Sequence, residues 1–164
     1  MPEKRTMQRA QRDKREGKAP TTQAGEFVRE EIEHVREGKH GARSTKQAIA
    51  IGLSKARRAG VKLGPPPKGS AKAKTRQSAR YASRAARHER RRPSTTRSRA
   101  ISRALKREGR GAATPQALAR QTRQVARRRG RAARRAAARK AVATKGPAVR
   151  KAAARKAAAT RKAA

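Results

Sequence analysis

Large apolar residues recur at helical spacing in only one stretch of this chain, residues 21–63. In the first half of the stretch, apolar positions fall on one helical face and are separated by polar residues. These positions are Phe27, Val28, Ile32 and Val35. Two glycines, Gly38 and Gly41, follow them. The pattern predicts an amphipathic helix that ends just before the glycines.

A second helix is predicted to begin at Ser44. Ser44 and Gln47 have the S-x-x-Q spacing of a capping box, in which each side chain satisfies a backbone N–H at the helix start. The apolar stripe that follows consists of Ile49, Leu53 and Ala56. Gly60 suits the left-handed residue that ends many helices, and the prolines at 65–67 prevent the helix from continuing. The two helices together predict a hairpin.

The chain as a whole has few of the large apolar residues that build a core. Leu, Ile, Val and Phe together number 15 of 164 residues, well under the roughly 20% below which a highly charged chain is usually disordered. Residues 21–63 contain nine large apolar residues. The free energy gained by burying them does not offset the entropic cost of ordering the segment, so the hairpin should be only marginally stable alone. The predicted fold class is mostly α with extensive disorder: a marginal N-terminal helical hairpin followed by low-complexity basic helices.

Changes in composition suggest four segments. Residues 1–20 are a mixed-charge tail or frayed helix, and residues 21–63 are the hairpin. Residues 64–125 form a basic linker with short helices. Residues 126–164 are a histone-like tail in which 32 of 39 residues are Ala, Arg or Lys. Like charges one turn apart oppose helix formation in this tail, so we expect it to gain helix on binding a polyanion.

Charge is distributed very unevenly along the sequence. Residues 1–37 contain 9 Lys+Arg and 8 Asp+Glu, whereas residues 38–164 contain 40 and 2. Nearly all of the formal net charge of +39 therefore lies on one continuous segment. Such a chain repels itself when compact, which predicts a dense polyanion as its partner, most naturally double-stranded DNA.

The expected DNA-contacting positions are basic residues in three places. The first is the turn between the hairpin helices, where Lys39, Arg43 and Lys46 surround a helix N-terminus suited to a phosphate. An ordinary interhelical turn with solvated charges explains the same residues equally well. The second is the run Arg90, Arg91 and Arg92. The third is the tail, with Arg127, Arg128, Arg129, Arg131, Arg134, Arg135, Arg139, Lys140, Arg150, Lys151, Arg155, Lys156, Arg161 and Lys162.

Several function classes have no support in the sequence. The chain lacks cysteine, shows no catalytic constellation, and has three histidines without other ligands at metal spacing, so we expect no enzyme activity, no cofactor and no metal site. No apolar run approaches a transmembrane span, and the N-terminal residues lack the apolar stretch of a signal peptide. The expected location is the cytoplasm, at the nucleoid, with no membrane partner.

Four glutamates in the first hairpin helix need an explanation of their own. They are Glu30, Glu31, Glu33 and Glu37. In one interpretation they dock on Lys55, Arg57 and Arg58 and shield those cations until DNA competes. In the other they only solubilise the helix.

The residues from Gly38 to Gly60, KHGARSTKQAIAIGLSKARRA between the two glycines, are similar to an uncharacterised family of small basic bacterial proteins. The segment from Ser98 to Arg129 also looks like the longer members of that family. The Ala/Arg/Lys tail resembles bacterial proteins that are similar to linker-histone tails. These resemblances imply a bacterial source and little about mechanism.

These observations predict a sequence-independent, histone-like nucleoid protein that neutralises phosphates and coats, bridges or condenses DNA. The hairpin would serve as a weak self-association or docking element. The first alternative is an RNA-binding or ribosome-associated basic protein, because binding by charge alone does not distinguish DNA from RNA. The second is a protein-interaction module in which the hairpin binds a protein and the basic tail is accessory.

Overall fold

The computed structural model describes residues 2–86 and 94–162, and most of these residues are helical. The helices are α1 (Lys4–Arg15), α2 (Pro20–Arg36), α3 (Thr45–Arg58), α4 (Ala73–Ala85), α5 (Thr95–Arg107), a 3-10 helix (Gly111–Ala113), α6 (Pro115–Arg128) and α7 (Gly130–Lys162). Neither described range contains a strand. The mostly α prediction is confirmed.

The prediction of extensive disorder is not supported. Helices α4 to α6 begin in the segment predicted as a basic linker with short helices, and α7 lies in the tail that we expected to gain helix on binding a polyanion. The shortage of large apolar residues predicts the absence of a core, but it does not predict the absence of local helix. Alanine and arginine have high helix propensity, so these segments can be helical with little burial.

The described residues form two compact units, one up to Ala119 and one from Arg120. In the first unit, α1 packs on α2, although residues 1–20 were expected to be a tail or a frayed helix. Ala10 of α1 is buried in a cluster with Phe27 and two further alanines, Ala24 and Ala56. Met7 packs against the same cluster.

The two helices predicted in residues 21–63 are α2 and α3, and they pack against each other. Gly52 lies at a close approach of the two helices, since a Cβ at that position would be 2.7 Å from the Cα of Val28. Phe27 and Val35 of α2 have no exposed surface. A second cluster, beside the first, joins Val35 and Ile32 to alanines of the following segments.

The start and end of α3 follow local rules. Ser44 caps the helix by accepting a hydrogen bond from the backbone N–H of Gln47 at 3.2 Å. The side chain of Gln47 accepts from the backbone N–H of Arg43 at 2.9 Å, one residue earlier than in a standard capping box. At the other end Gly60 has φ 90°, and the N–H of Val61 bonds the carbonyl of Ala56. That arrangement is a Schellman motif.

The last turn of α5 and the residues that follow it lie against the turn between α2 and α3. Gly41 donates its N–H to the carbonyl of Leu105 at 2.8 Å, and Ala42 donates to Gly109 at 3.1 Å. A side chain at Gly41 would overlap the backbone carbonyl of Glu108. The 3-10 helix then places two buried alanines in the second cluster. Part of the segment predicted as a basic linker is therefore packed structure.

The apolar faces of α2 and α3 are thus covered by the same chain. Within the described residues, the exposed large hydrophobic side chains are Tyr81, Ile101, Val142 and Val149, and none of them belongs to residues 21–63. Ile49, Ile51 and Leu53 of α3 are half-buried, and self-association through the hairpin stays a prediction.

The second unit contains the end of α6 and all of α7. Gly130, at φ 70°, separates the two helices. Gly146, at φ 56° and ψ 165°, breaks α7 before Pro147. Neither α6 nor the described part of α7 contains a buried residue.

Candidate nucleic-acid interface

The second unit carries the highest concentration of unopposed positive charge. From Arg120 to Lys162 the sequence has 17 Lys+Arg and no Asp or Glu. Each of these basic residues whose side chain is described is exposed. The tail residues predicted to contact phosphates therefore lie together on one pair of helices. Arg161 and Lys162 end α7, but their side chains, and all of Arg90, Arg91 and Arg92, lie outside the described part.

Within each half of α7 the charges favour one side of the helix. Taking 100° per residue, five of the six basic residues before Gly146 fall within an arc of about 140°. The five are Arg131, Arg134, Arg135, Arg139 and Lys145. After Pro147, five of six again fall within about 140°: Arg150, Lys151, Arg155, Arg161 and Lys162. Alanines occupy most of the remaining surface, so each half has a basic face and a small, nearly uncharged face.

The turn before α3 is a less open site than the sequence predicted. Lys39 pairs with Glu3 at 3.2 Å and with Glu37 at 2.9 Å, and these acids raise its pKa. Arg43 pairs with Glu108 at 3.4 Å. Only Lys46 of the three predicted residues is exposed with no acidic group at ion-pair distance in the described residues. Several N–H groups expected to face a phosphate already bond the cap or the returning segment.

The glutamates of α2 divide into two exposed and two buried residues. Glu33 and Glu37 are exposed, whereas Glu30 is 3% exposed and Glu31 has no exposed surface. The Nζ atom of Lys55 lies 2.6 Å from Glu31 Oε2 and 3.3 Å from Glu30 Oε1. The acids therefore serve the interior of the first unit as well as its surface.

Arg57 and Arg58 do not join that buried cluster. Arg57 donates instead to backbone carbonyls, at 3.3 Å to Leu63 and 3.1 Å to Gly64. Burial lowers the pKa of its guanidinium. Arg58 is exposed. Of the three cations proposed as docking partners for the glutamates, Lys55 alone contacts Glu30 and Glu31.

Two histidines lie beside Glu31, an arrangement that sequence reasoning missed. One ring nitrogen of His34, one of His40 and one carboxylate oxygen of Glu31 all lie within 4.8 Å of one another. His40 Nε2 is 3.1 Å from Glu31 Oε1, and its Nδ1 is 3.0 Å from the carbonyl oxygen of Gly41. His34 Nε2 is 2.9 Å from Glu3 Oε1. The two rings meet edge to face, with centroids 6.2 Å apart.

A local signal for part of this cluster exists in the sequence. Glu31 and His34 are three residues apart, so they share one face of α2. His40 is brought back by the turn at Gly38, which has φ 77° and is closed by the bond from Lys39 N–H to the His34 carbonyl at 3.0 Å. That last contact depends on the turn and could not be obtained from spacing.

In comparisons with known proteins, residues 4–68 match a family described as a family of unknown function (DUF6496). The match covers α1, α2, α3 and the proline-rich segment after them, and it includes the string on which the resemblance was based. It does not extend to residues 98–129 or to the tail. No curated protein and no solved structure matches the chain. No described helix is long and apolar enough to cross a membrane.

Proposed function

We propose that this chain binds double-stranded DNA without sequence preference and, as a nucleoid protein of the bacterial cytoplasm, coats, bridges or condenses it. The observation that carries the proposal is the basic segment 120–162, which has 17 Lys+Arg and no acid and in which each cation whose side chain is described is exposed. It has no enzymatic role in this proposal. The first unit serves as a folded body that carries the basic helices.

The charge density of this surface suits a duplex. At about 1.5 Å per helical residue, residues 120–162 carry one positive charge per roughly 4 Å, and duplex DNA carries one phosphate per about 1.7 Å of axis. Cations that pair with phosphates release condensed counterions, which favours association most strongly at low salt. If half of the 17 make such contacts, log K should fall with log[salt] with a slope of about −8.

Burial of aromatic residues bears on the RNA alternative. Proteins that read single-stranded RNA stack bases on aromatic side chains. This chain has two aromatic residues, and Phe27 has no exposed surface. Tyr81, which is 68% exposed, is the one aromatic side chain left for stacking. A charge-dominated contact with duplex backbone therefore has more support than base readout in single strands.

A pair of variants with equal net charge tests the location of the interface. One replaces four arginines of the basic face of α7: Arg131→Gln, Arg134→Gln, Arg135→Gln and Arg139→Gln. The control replaces four exposed cations of the first unit: Lys4→Gln, Arg5→Gln, Arg15→Gln and Arg58→Gln. Affinity for a labelled duplex of random sequence is measured by fluorescence anisotropy at several salt concentrations.

We expect the α7 variant to lose affinity on the order of a hundredfold at 0.15 M salt and its salt slope to shrink by about 4, one unit per lost phosphate contact. The control should lose much less, because its cations lie outside the proposed surface. Equal losses in both variants would mean that net charge acts without a defined interface. Absence of duplex binding by the unmodified chain at 0.15 M salt would refute the proposal.

Competition between duplex DNA and structured RNA then separates the two nucleic acids. Unlabelled competitors are added at ~0.3 M salt, where purely electrostatic binding is weakened. Preference for the duplex supports the DNA proposal, and preference for RNA would favour the alternative.

A further inference from the structure

We propose that Glu31, His34 and His40 form a binding site for a divalent transition-metal ion, with Zn²⁺ the ion that this set of ligands suits best. Two imidazoles and one carboxylate favour zinc and its neighbours, whereas Mg²⁺ and Ca²⁺ prefer oxygen ligands alone. One potential ligand atom from each residue lies within 4.8 Å of the other two. The site is independent of the proposed DNA interface, since it belongs to the first unit.

Glu31 is the strongest single indication. Its side chain is 1% exposed, yet neither carboxylate oxygen accepts a hydrogen bond of acceptable geometry in the described residues. Lys55 and His40 lie at ion-pair distance from these oxygens, at 2.6 and 3.1 Å, without forming a hydrogen bond to them. A buried carboxylate without hydrogen bonds is costly. A metal ion at Oε1 would satisfy it, while Lys55 continues to neutralise Oε2.

The orientation of His40 suits a ligand. A carbonyl oxygen only accepts, so the contact of Nδ1 with Gly41 at 3.0 Å requires the proton on Nδ1. In the neutral ring, Nε2 then carries the lone pair and faces Glu31 Oε1 at 3.1 Å. Two acceptors at that distance repel unless Nε2 also carries a proton or a metal ion binds both atoms. The separation is close to the roughly 3.3 Å between ligands of a tetrahedral zinc ion with bonds of ~2.05 Å.

In the proposed site His34 would bind the ion through Nδ1, which leaves Nε2 to the kind of outer partner that metal-bound histidines typically have. Its Nε2 contacts the carboxylate of Glu3 at 2.9 Å, and Lys39 holds the same carboxylate oxygen at 3.2 Å. A carboxylate in this position fixes the ring and increases its basicity. The side chains of His34 and His40 are 14% and 17% exposed, so solvent and an ion can reach them. Three protein ligands would leave a fourth position open to water or an added group.

The test uses the untagged full-length protein freed of nucleic acid. Zn²⁺ is titrated by calorimetry, and Co²⁺ is titrated by visible absorption, which reports coordination geometry. We expect one ion per chain. His34→Gln and His40→Gln should each weaken binding more than tenfold, since even loss of an outer partner has an effect of 10- to 100-fold. The control is Glu33→Gln, which removes an exposed carboxylate from the same helix and should bind like the unmodified protein.

A second measurement does not depend on the variants folding. In the unmodified chain, the imidazole resonances of His34 and His40 should shift together at one equivalent of Zn²⁺, with the circular dichroism of the apo variants recorded as a check on folding. Absence of saturable one-to-one binding would overturn the proposal. The proposal would also be overturned if His34→Gln and His40→Gln bound Zn²⁺ as strongly as Glu33→Gln, because the ion would then be held elsewhere.

Discussion

Lysine and arginine are used in opposite ways in two regions of this chain. Residues 1–63 contain 16 Lys+Arg and 8 Asp+Glu, and residues 120–164 contain 17 and none. The number of cations is nearly the same, so the difference lies in the acids. In the first region, many cations can form ion pairs with acids of the same region. The second region has no Asp or Glu with which its cations could pair.

Pairing in the first region is partly buried. Asp13 is 4% exposed and accepts a hydrogen bond from Lys18 at 2.7 Å, and the buried carboxylate of Glu31 lies at ion-pair distance from Lys55, at 2.6 Å. These contacts neutralise charges inside a body that has few large apolar residues. The core is correspondingly made of Phe27, Val35 and many alanines.

The second region has helices with no core at all. Its helical structure depends on the propensity of alanine and arginine, and each of its cations whose side chain is described faces solvent. The formal net charge of +39 is therefore a poor measure of the charge available to a ligand. Cations of the first region that are paired with acids contribute less to polyanion binding than unopposed ones.

Removing the partner of a buried acid should have the largest effect on stability. Lys55→Met leaves Glu31 without its lysine, and breaking a buried pair in this way costs about 3–5 kcal/mol. Thermal unfolding followed by the ring resonances of Phe27, the single phenylalanine, reports on this region alone. The double variant Glu31→Leu with Lys55→Met should be more stable than Lys55→Met, because the buried charge of Glu31 is removed and only that of Glu30 is left without its lysine.

Lys62→Met is the control for that experiment, since it removes an exposed lysine from the end of the same segment. It should change stability by less than ~0.5 kcal/mol. If both variants have the same effect, the buried ion pairs do not stabilise the first region, and the contrast between the two regions is one of sequence only.

Close packing of α2 and α3 predicts the next effect. Gly52→Ala places a methyl group 2.7 Å from the Cα of Val28, and such overpacking costs about 1–3 kcal/mol. Gly25→Ala is the matched control on α2, where a Cβ meets nothing within 4 Å. That substitution should stabilise by up to about 1 kcal/mol, because alanine favours helix over glycine. In thermal unfolding followed by the Phe27 ring resonances, Gly52→Ala should lower the midpoint and Gly25→Ala should raise it. Shifts of the same sign would contradict the observed approach of the helices.

Relieving the charge repulsion within α7 should stabilise its helix by about 1–2 kcal/mol. Arg135 is four residues from both Arg131 and Arg139, so Arg135→Glu turns two repulsive pairs into attractive ones, each changing by roughly 0.4–1 kcal/mol. Amide exchange of residues 131–143 measured at low salt should slow. Arg134→Glu makes the same change in net charge but alters one charge pair, that with Arg131, and it removes the hydrogen bond from Arg134 to the Ala126 carbonyl, so its effect should be half or less. The difference should shrink at high salt, where charges are screened.

The sequence predicted those parts of the fold that local rules control. The cap at Ser44, the end at Gly60 and the stop at residues 65–67 are all visible in residue types, and α3 (Thr45–Arg58) has those limits. The break at Gly146 is of the same kind. Charge, too, is a property of composition, so the basic tail could be found without a structure.

Contacts between distant segments could not be predicted in this way. α1 has little apolar periodicity, since its buried positions include Thr6 and Asp13. The return of Gly109 to Ala42 depends on small residues, which leave no periodic pattern. The cluster around Glu31 was missed for a related reason, because the glutamates of α2 look alike in the sequence and only packing against α3 and the turn at Gly38 distinguishes the buried ones.

The smallest expected effect concerns the turn between α1 and α2. Hydrogen bonds from Lys18 to Asp13 and then to Glu16 raise the pKa of its ammonium group above the ordinary value of 10.5. A group whose pKa rises on folding stabilises the fold fully below its unfolded value and loses that contribution as pH rises through the folded value. Lys18→Gln should therefore lower the Phe27 unfolding midpoint at pH 7–9, by less than Gly52→Ala does, and this difference should vanish above the folded pKa. Lys14→Gln, an exposed lysine of α1, should leave the midpoint unchanged across the whole range. An effect of Lys18→Gln that persists undiminished at high pH would show that the lysine acts through packing of its alkyl chain and not through its charge.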